Sequence, residues 1–179
     1  MGHYAQARLG AAIAFALTVI SVFIINQHSK LVDAKNRAVD AFTMMEGYLS
    51  KRNSLVNDLL EKTEGKADAA AADALRKAKQ VIDSTEKLGE RIEKEGILAD
   101  AITDFVKSCD SVPEIADDSD YKYIKSELAD ADRGITVYGN NYNIFVEAFK
   151  TRRSKFPGSM AAKLFKVADI PYFPLTNKE

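Results

Sequence analysis

A single cysteine, Cys109, in 179 residues excludes an internal disulfide and any cysteine-based zinc site. Tryptophan is absent, and the two histidines, His3 and His28, both stand near the N-terminus, so most of the chain lacks the commonest general acid–base group. Four prolines and nine glycines are too few for a many-turned β protein. Charge of one sign is not in excess either. With 25 Lys and Arg against 26 Asp and Glu, the net charge of −1 argues against affinity for nucleic-acid phosphates. Phosphate-cradling GxxxxGK[ST], zinc-binding HExxH, nucleophile-elbow GxSxG, CxxC and paired Glu-x-x-His motifs are all missing. These absences predict a protein without cofactor or metal and without catalysis. What is present is 46% hydrophobic and 28% charged residues, which excludes general disorder and favours one modest helical domain stabilised by packing.

Residues 9–25 read LGAAIAFALTVISVFII, uncharged, with Thr18 and Ser21 as the polar side chains. As a helix this run spans about 25 Å, enough to cross a bilayer core once the flanks to residue 27 are added. The anchor is therefore placed at residues 9–27, its apolar surface carried by Leu9, Ile13, Phe15, Leu17, Val19, Ile20, Val22, Phe23, Ile24 and Ile25, behind a short tail at residues 1–8. A cleaved signal peptide has the same outline, but Ile24-Ile25-Asn26-Gln27-His28 offers no small-x-small cleavage site, so a retained single-pass anchor is expected. Arg8 before the run and Lys30, Lys35 and Arg37 after it lean toward a cytoplasmic C-terminal part.

Beyond the anchor the chain is patterned for long helices. Leu31, Ala38, Phe42, Met45, Leu49, Val56 and Leu59 recur at steps of three and four, a heptad seam that begins within a few residues of the anchor. Lys35 and Arg52 fall on the same seam, so each must lie at a wet edge, snorkel or meet an acidic partner. Lys62-Thr63-Glu64-Gly65-Lys66 ends this rod, and Asp68 is placed to cap the next helix. Residues 68–110 fit one bent helix or two, with Gly89 and Gly96 weakening the middle and Pro113 closing the region. The clearest periodicity follows in Ile124, Leu128, Ala131, Ile135, Tyr138, Tyr142, Phe145 and Phe149. The expected fold is all-α: a transmembrane helix, then an elongated antiparallel bundle of three to four coiled-coil-like helices over residues 28–166, and a C-terminal tail at 167–179.

Two sets of segments carry more than periodicity. Leu31-Val32, Ala34-Lys35-Asn36-Arg37, Ala41-Phe42, Lys51-Arg52 and Leu55-Val56 make the first. Val112-Pro113-Glu114-Ile115, Glu127-Leu128, Tyr142-Asn143, Lys155-Phe156-Pro157, Leu164-Phe165 and Pro171-Tyr172-Phe173 make the second. In that order behind a single anchor they resemble the LemA family of bacterial and archaeal membrane proteins. This chain departs from the family at His28-Ser29, where Tyr-Asn is usual, at Asn57-Asp58, where Pro-Asn is usual, and in its alanine-rich stretch at 67–74. The resemblance implies a helical bundle on a single-pass anchor, with the N-terminus outside and the bundle in the cytoplasm. It carries no known reaction; members have been discussed as scaffolds or accessory proteins, some encoded beside membrane proteases.

The remaining candidates for chemistry have structural explanations. Asp117-Asp118-Ser119-Asp120 fails the calcium-loop pattern, since counting from Asp118 the sixth and twelfth places hold Tyr123 and Ala129, and Asp118 or Ser119 suits a helix cap. Lys150, Arg152, Arg153 and Lys155 complement a helix C-terminus and also make a candidate contact for acidic lipid or an acidic partner. The stripe of Tyr138, Tyr142, Phe145 and Phe149 reads as core, Cys109 as a buried inert thiol, and His28 as a residue of the membrane boundary. The expected role is a non-enzymatic scaffold that self-assembles at the membrane, with the small residues Gly10, Ala11, Ala14 and Ala16 available for packing between anchors. The alternatives are an adaptor of a membrane protease or signalling system and, from another class, a lipid- or metal-binding enzyme subunit. Its expected partners are the lipid bilayer, further copies of itself and another membrane protein such as a protease.

Overall fold

The computed structural model describes residues 2–85 and 87–175, with side chains from Ala11 onward. Six helices follow in order: α1 (Gly2–Lys62), α2 (Ala69–Asp83), α3 (Leu88–Asp110), α4 (Pro113–Ala116), α5 (Ser119–Ser154) and α6 (Gly158–Leu164). No strand occurs among the described residues, and the fold is all-α as the periodicity predicts.

Helix α1 runs unbroken for 61 residues, because neither proline nor an interior turn signal interrupts it. Its apolar N-terminal stretch has a mean hydropathy of 1.7 and is not buried, which makes it long and apolar enough to cross a membrane. Ile13, Phe15, Leu17, Val19, Ile20, Val22, Phe23 and Ile25 are exposed on it and Ile24 is half-buried. The side chains of Leu9 and His3 lie outside the described residues. The helix ends where Thr63, Glu64 and Gly65 turn, Gly65 taking a φ of 74° that favours a residue without Cβ. Asp68 then caps α2, its Oδ1 accepting from the amide of Ala71 at 2.8 Å.

The stretch 68–110 forms two helices. Backbone regularity is lost after Asp83, and α3 begins at Leu88. Val112 is extended (φ −104°, ψ 106°), as a residue before proline prefers, and the single turn of α4 follows. Asp118 starts α5, its Oδ1 accepting from the amides of Asp120 at 2.8 Å and Tyr121 at 3.1 Å. This acidic patch is thus built as a cap, and Lys62 completes it by pairing with Asp120 at 2.6 Å and Asp118 at 3.3 Å.

The chain divides into two compact units, Met1–Ala38 with Phe145–Asp169, and Val39–Ile144 with Ile170–Glu179. In the second unit Lys51–Glu127, Tyr48–Tyr138 and Phe42–Tyr142 meet in reversed order, so its portions of α1 and α5 run antiparallel. Its core includes Val56, Leu59, Leu75, Ile82, Leu98, Ile102, Phe105, Cys109, Tyr121 and Leu128. Burying a side chain such as Phe105 fully contributes about 2–3 kcal/mol. Buried residues of the first unit include Leu31, Ala38, Val146, Phe149, Ala161 and Ala162.

Candidate functional site

The second unit holds a charge cluster inside its helical packing. Arg52 occupies a seam position of α1 and is 2% exposed, and Glu95 of α3 is 1% exposed. Arg52 Nη2 donates to Glu95 Oε2 at 2.6 Å, and Arg52 Nη1 lies 3.5 Å from Asp132 Oδ1 of α5. Arg91 comes within 3.7 Å of Glu95 Oε1, pairs with Glu46 at 2.9 Å and stacks over the Phe42 ring at 5.6 Å. Of the choices open to a seam cation, Arg52 takes the acidic partner. Burial pushes the Glu95 carboxyl above its ordinary range, and the two guanidiniums pull it back in part.

Beside this cluster is a pocket of about 150 Å³ lined by Arg52, Glu95, Asp132, Thr103 and Thr136 and closed by Phe173, Pro174 and Leu175. Its polar lining and size suit a few water molecules. Arg52 Nε and Glu95 Oε1 are buried there without a hydrogen bond among the described residues. The cluster offers carboxylates already opposed by guanidiniums, with no thiol or imidazole among its members. No group of three or more His, Cys, Asp or Glu is placed to hold a metal among the described residues.

Residues 170–175, which the sequence groups with a C-terminal tail, lie along this unit as an extended strap. Asn143 holds it at both faces of one residue: its Nδ2 donates to the Phe173 carbonyl at 3.0 Å, and its Oδ1 accepts from the Phe173 amide at 2.7 Å. The Tyr142 hydroxyl donates to the Pro171 carbonyl at 2.8 Å. Burial pushes the Tyr142 hydroxyl up to about 12. The strap can lie close because glycines pave its path. A Cβ at Gly96 would stand 2.9 Å from Pro174 Cγ, and one at Gly139 would stand 2.8 Å from Leu175 Cδ2.

The seam residues Phe42, Met45, Leu49, Val56, Leu128, Ile135, Tyr142 and Phe149 are buried, whereas Tyr138 and Phe145 are half-buried. On the C-terminal side of Tyr142, Val146 is fully buried, so the face turned inward shifts by one residue from the strict heptad. Cys109 is buried, and desolvation raises its thiol. Lys150 pairs with Asp169 at 3.0 Å, Arg153 Nε donates to the Val167 carbonyl at 3.2 Å, and Arg152 and Lys155 are exposed. His28 is half-buried, its ring 4.2 Å from that of Phe165. Glu95, Asp132 and Arg91 escaped the sequence reading. Glu95 had a signal, standing three residues after Ile92 and three before Leu98, both buried.

Comparison with known proteins places the chain. No curated protein matches it. The model of the LemA family matches residues 41–179, a span that takes in the charge cluster, the strap and every helix after α1. The chain belongs to the LemA family.

Proposed function

We propose that this protein is a membrane-anchored scaffold that works without catalysis, by holding a helical surface at the bilayer and associating with copies of itself. The observation that carries the reading is the continuity of α1: one helix begins in the exposed apolar stretch and continues, without a break, into the buried seam ending at Leu59. Whatever binds the helices is thereby confined to the membrane. The surface offered for association is the groove between α2 and α3, about 510 Å³, where Ala74, Ala78, Val81, Ile97 and Ala101 line the floor and Lys77, Lys94 and Asp104 line the edge. Val81 is 41% and Ile97 54% exposed, an apolar face left open among the described residues. Its edge carries both signs of charge, so two copies related by a two-fold axis can set Lys77 or Lys94 of one against Asp104 of the other. The excess of Lys30, Lys35 and Arg37 after the apolar run over Arg8 before it supports a cytoplasmic bundle in this reading.

The test is the mass of the full chain in mild detergent. A dimer, reduced to monomer by Ile97→Glu with helicity unchanged, is the expected result. A wild-type monomer overturns self-association, and a one-to-one complex with a different protein overturns it in favour of an adaptor. For orientation, a single cysteine at the exposed Asp117 in a Cys109→Ser background is expected to resist an impermeant thiol reagent until cells are broken. Labelling of intact cells would place the helices outside.

A further inference from the structure

We propose that the C-terminal end of α5 together with α6 forms a second membrane contact, a basic and apolar surface that docks on the anionic headgroups of the bilayer crossed by α1. It rests on the reading of α1 as an anchor and adds to it a lipid-recognising face. Residues 145–169 carry six basic side chains and two acidic ones in a chain whose net charge is −1, so the excess is local. A groove of about 690 Å³, lined by Arg153, Ser154, Ser159, Lys163 and Lys166 among others, provides cations and hydroxyls together. Anionic headgroups are attracted by such clusters when these lie at the bilayer surface.

Apolar groups flank the cations. Phe156 is 75%, Leu164 65%, Met160 50% and Phe165 41% exposed. On α6, Gly158, Ala161 and Ala162 turn inward, leaving Met160, Lys163 and Leu164 on the outer face. Four large apolar side chains beside basic ones are the composition of an interfacial helix, whose apolar face enters the headgroup boundary while its cations stay at the phosphates. Their place in the fold agrees. The Phe165 ring lies 4.2 Å from that of His28, three residues beyond Ile25, where the exposed apolar run of α1 ends. The surface therefore stands at the level where the anchor leaves the hydrocarbon. Dipole complementarity accounts for Arg152 and Arg153 in the last turn of α5 and for Lys163 in the last turn of α6, but not for Lys166, beyond the end of α6, or for the exposed Phe156.

The experiment uses the full chain in a Cys109→Ser background with an environment-sensitive fluorophore on a single cysteine, at Leu17→Cys or at Met160→Cys. Each is reconstituted into phosphatidylcholine vesicles, with or without phosphatidylglycerol, that contain nitroxide lipids labelled deep or shallow. Circular dichroism first checks that each variant keeps the parent's helicity. The expected result is quenching at position 17 by the deep label, and at position 160 a blue-shifted emission quenched by the shallow label. Omitting phosphatidylglycerol, or combining Lys155→Gln, Lys163→Gln and Lys166→Gln, removes most of the quenching at position 160 and none at position 17. If position 17 is quenched while position 160 emits like free dye in buffer, the second contact is wrong and the anchor stands. If position 17 is not quenched, the anchor fails and the second contact with it. Quenching at position 160 that ignores both phosphatidylglycerol and the three lysines would overturn headgroup recognition.

Discussion

Arg52 stands where packing alone would favour leucine, and its guanidinium is held by Glu95 at 2.6 Å with almost no access to water. Truncating it leaves the Glu95 carboxylate buried without its closest partner, so Arg52→Ala costs about 3–5 kcal/mol. Thermal unfolding of the detergent-solubilised chain checks this, and the paired change Arg52→Met with Glu95→Leu should recover much of the loss; an unchanged melting temperature in Arg52→Ala would show the cluster to be idle. The titrations have definite signs. Glu95 is raised, so its contribution is full below its ordinary 4.5 and is lost as pH rises through the folded value. Asp118 is lowered, first by its hydrogen bond from the Tyr121 amide, so its contribution is present above 3.8 and is lost as pH falls through the folded value. Asp118→Asn keeps a capping side chain but not the charge opposite Lys62, so melting should fall less steeply on acidification than in the parent. A slope equal to the parent's would contradict that. At the alkaline end, burial pushes the Tyr142 hydroxyl from its ordinary 10.0 up to about 12, so its contribution is full below 10.0 and is lost as pH rises through the folded value. Tyr142→Phe sacrifices about 1 kcal/mol at neutral pH with its hydrogen bond to Pro171 and shows a shallower alkaline decline. Some of this was legible in the residues alone. Arg52 on a heptad seam announces a buried or edge cation, but which carboxylates meet it depends on how α3 and α5 pack, which no local spacing encodes.

Among elements, the helices were the most legible and the strap the least. Seam spacing, Asp68, Asp118 and Pro113 mark helix faces and ends through short-range physics, so α1, α2, α4 and α5 begin or end close to those signals. The break between α2 and α3 had no such mark, since Ser84 and Thr85 carry no proline or glycine, and one bent helix fitted the pattern equally well. For residues 170–175 the two prolines at 171 and 174 exclude helix but do not say where the segment lies. Its position is fixed by Asn143 and by space left over Gly96 and Gly139, both long-range features. Asn143→Ala removes both hydrogen bonds to Phe173, and hydrogen exchange at the Phe173 amide should accelerate about tenfold while the amides of α1 keep their protection. Gly96→Val, which drives a side chain into Pro174, should loosen the same residues. Exchange at Phe173 unaltered by either change would mean that the strap is held by other contacts.

At the scale of the whole molecule, membership in the LemA family, an all-α fold and a helix apolar enough to cross a membrane are consistent with a protein that acts by position. Family and fold class were legible because ordered motifs and periodicity are written along the chain. The surface for association was not, since Val81 and Ile97 belong to apolar patterns that also describe a core, and only packing leaves them in the open. The proposed scaffold requires that copies meet through the groove between α2 and α3. The most direct measurement is cross-linking in intact membranes with a short bismaleimide, in a Cys109→Ser background, with a single cysteine at Ile97 and a control at the exposed Asp58 of α1. A covalent dimer at position 97 and little at position 58 is expected; no dimer at 97, or equal yields at the two, would rule out association through this groove.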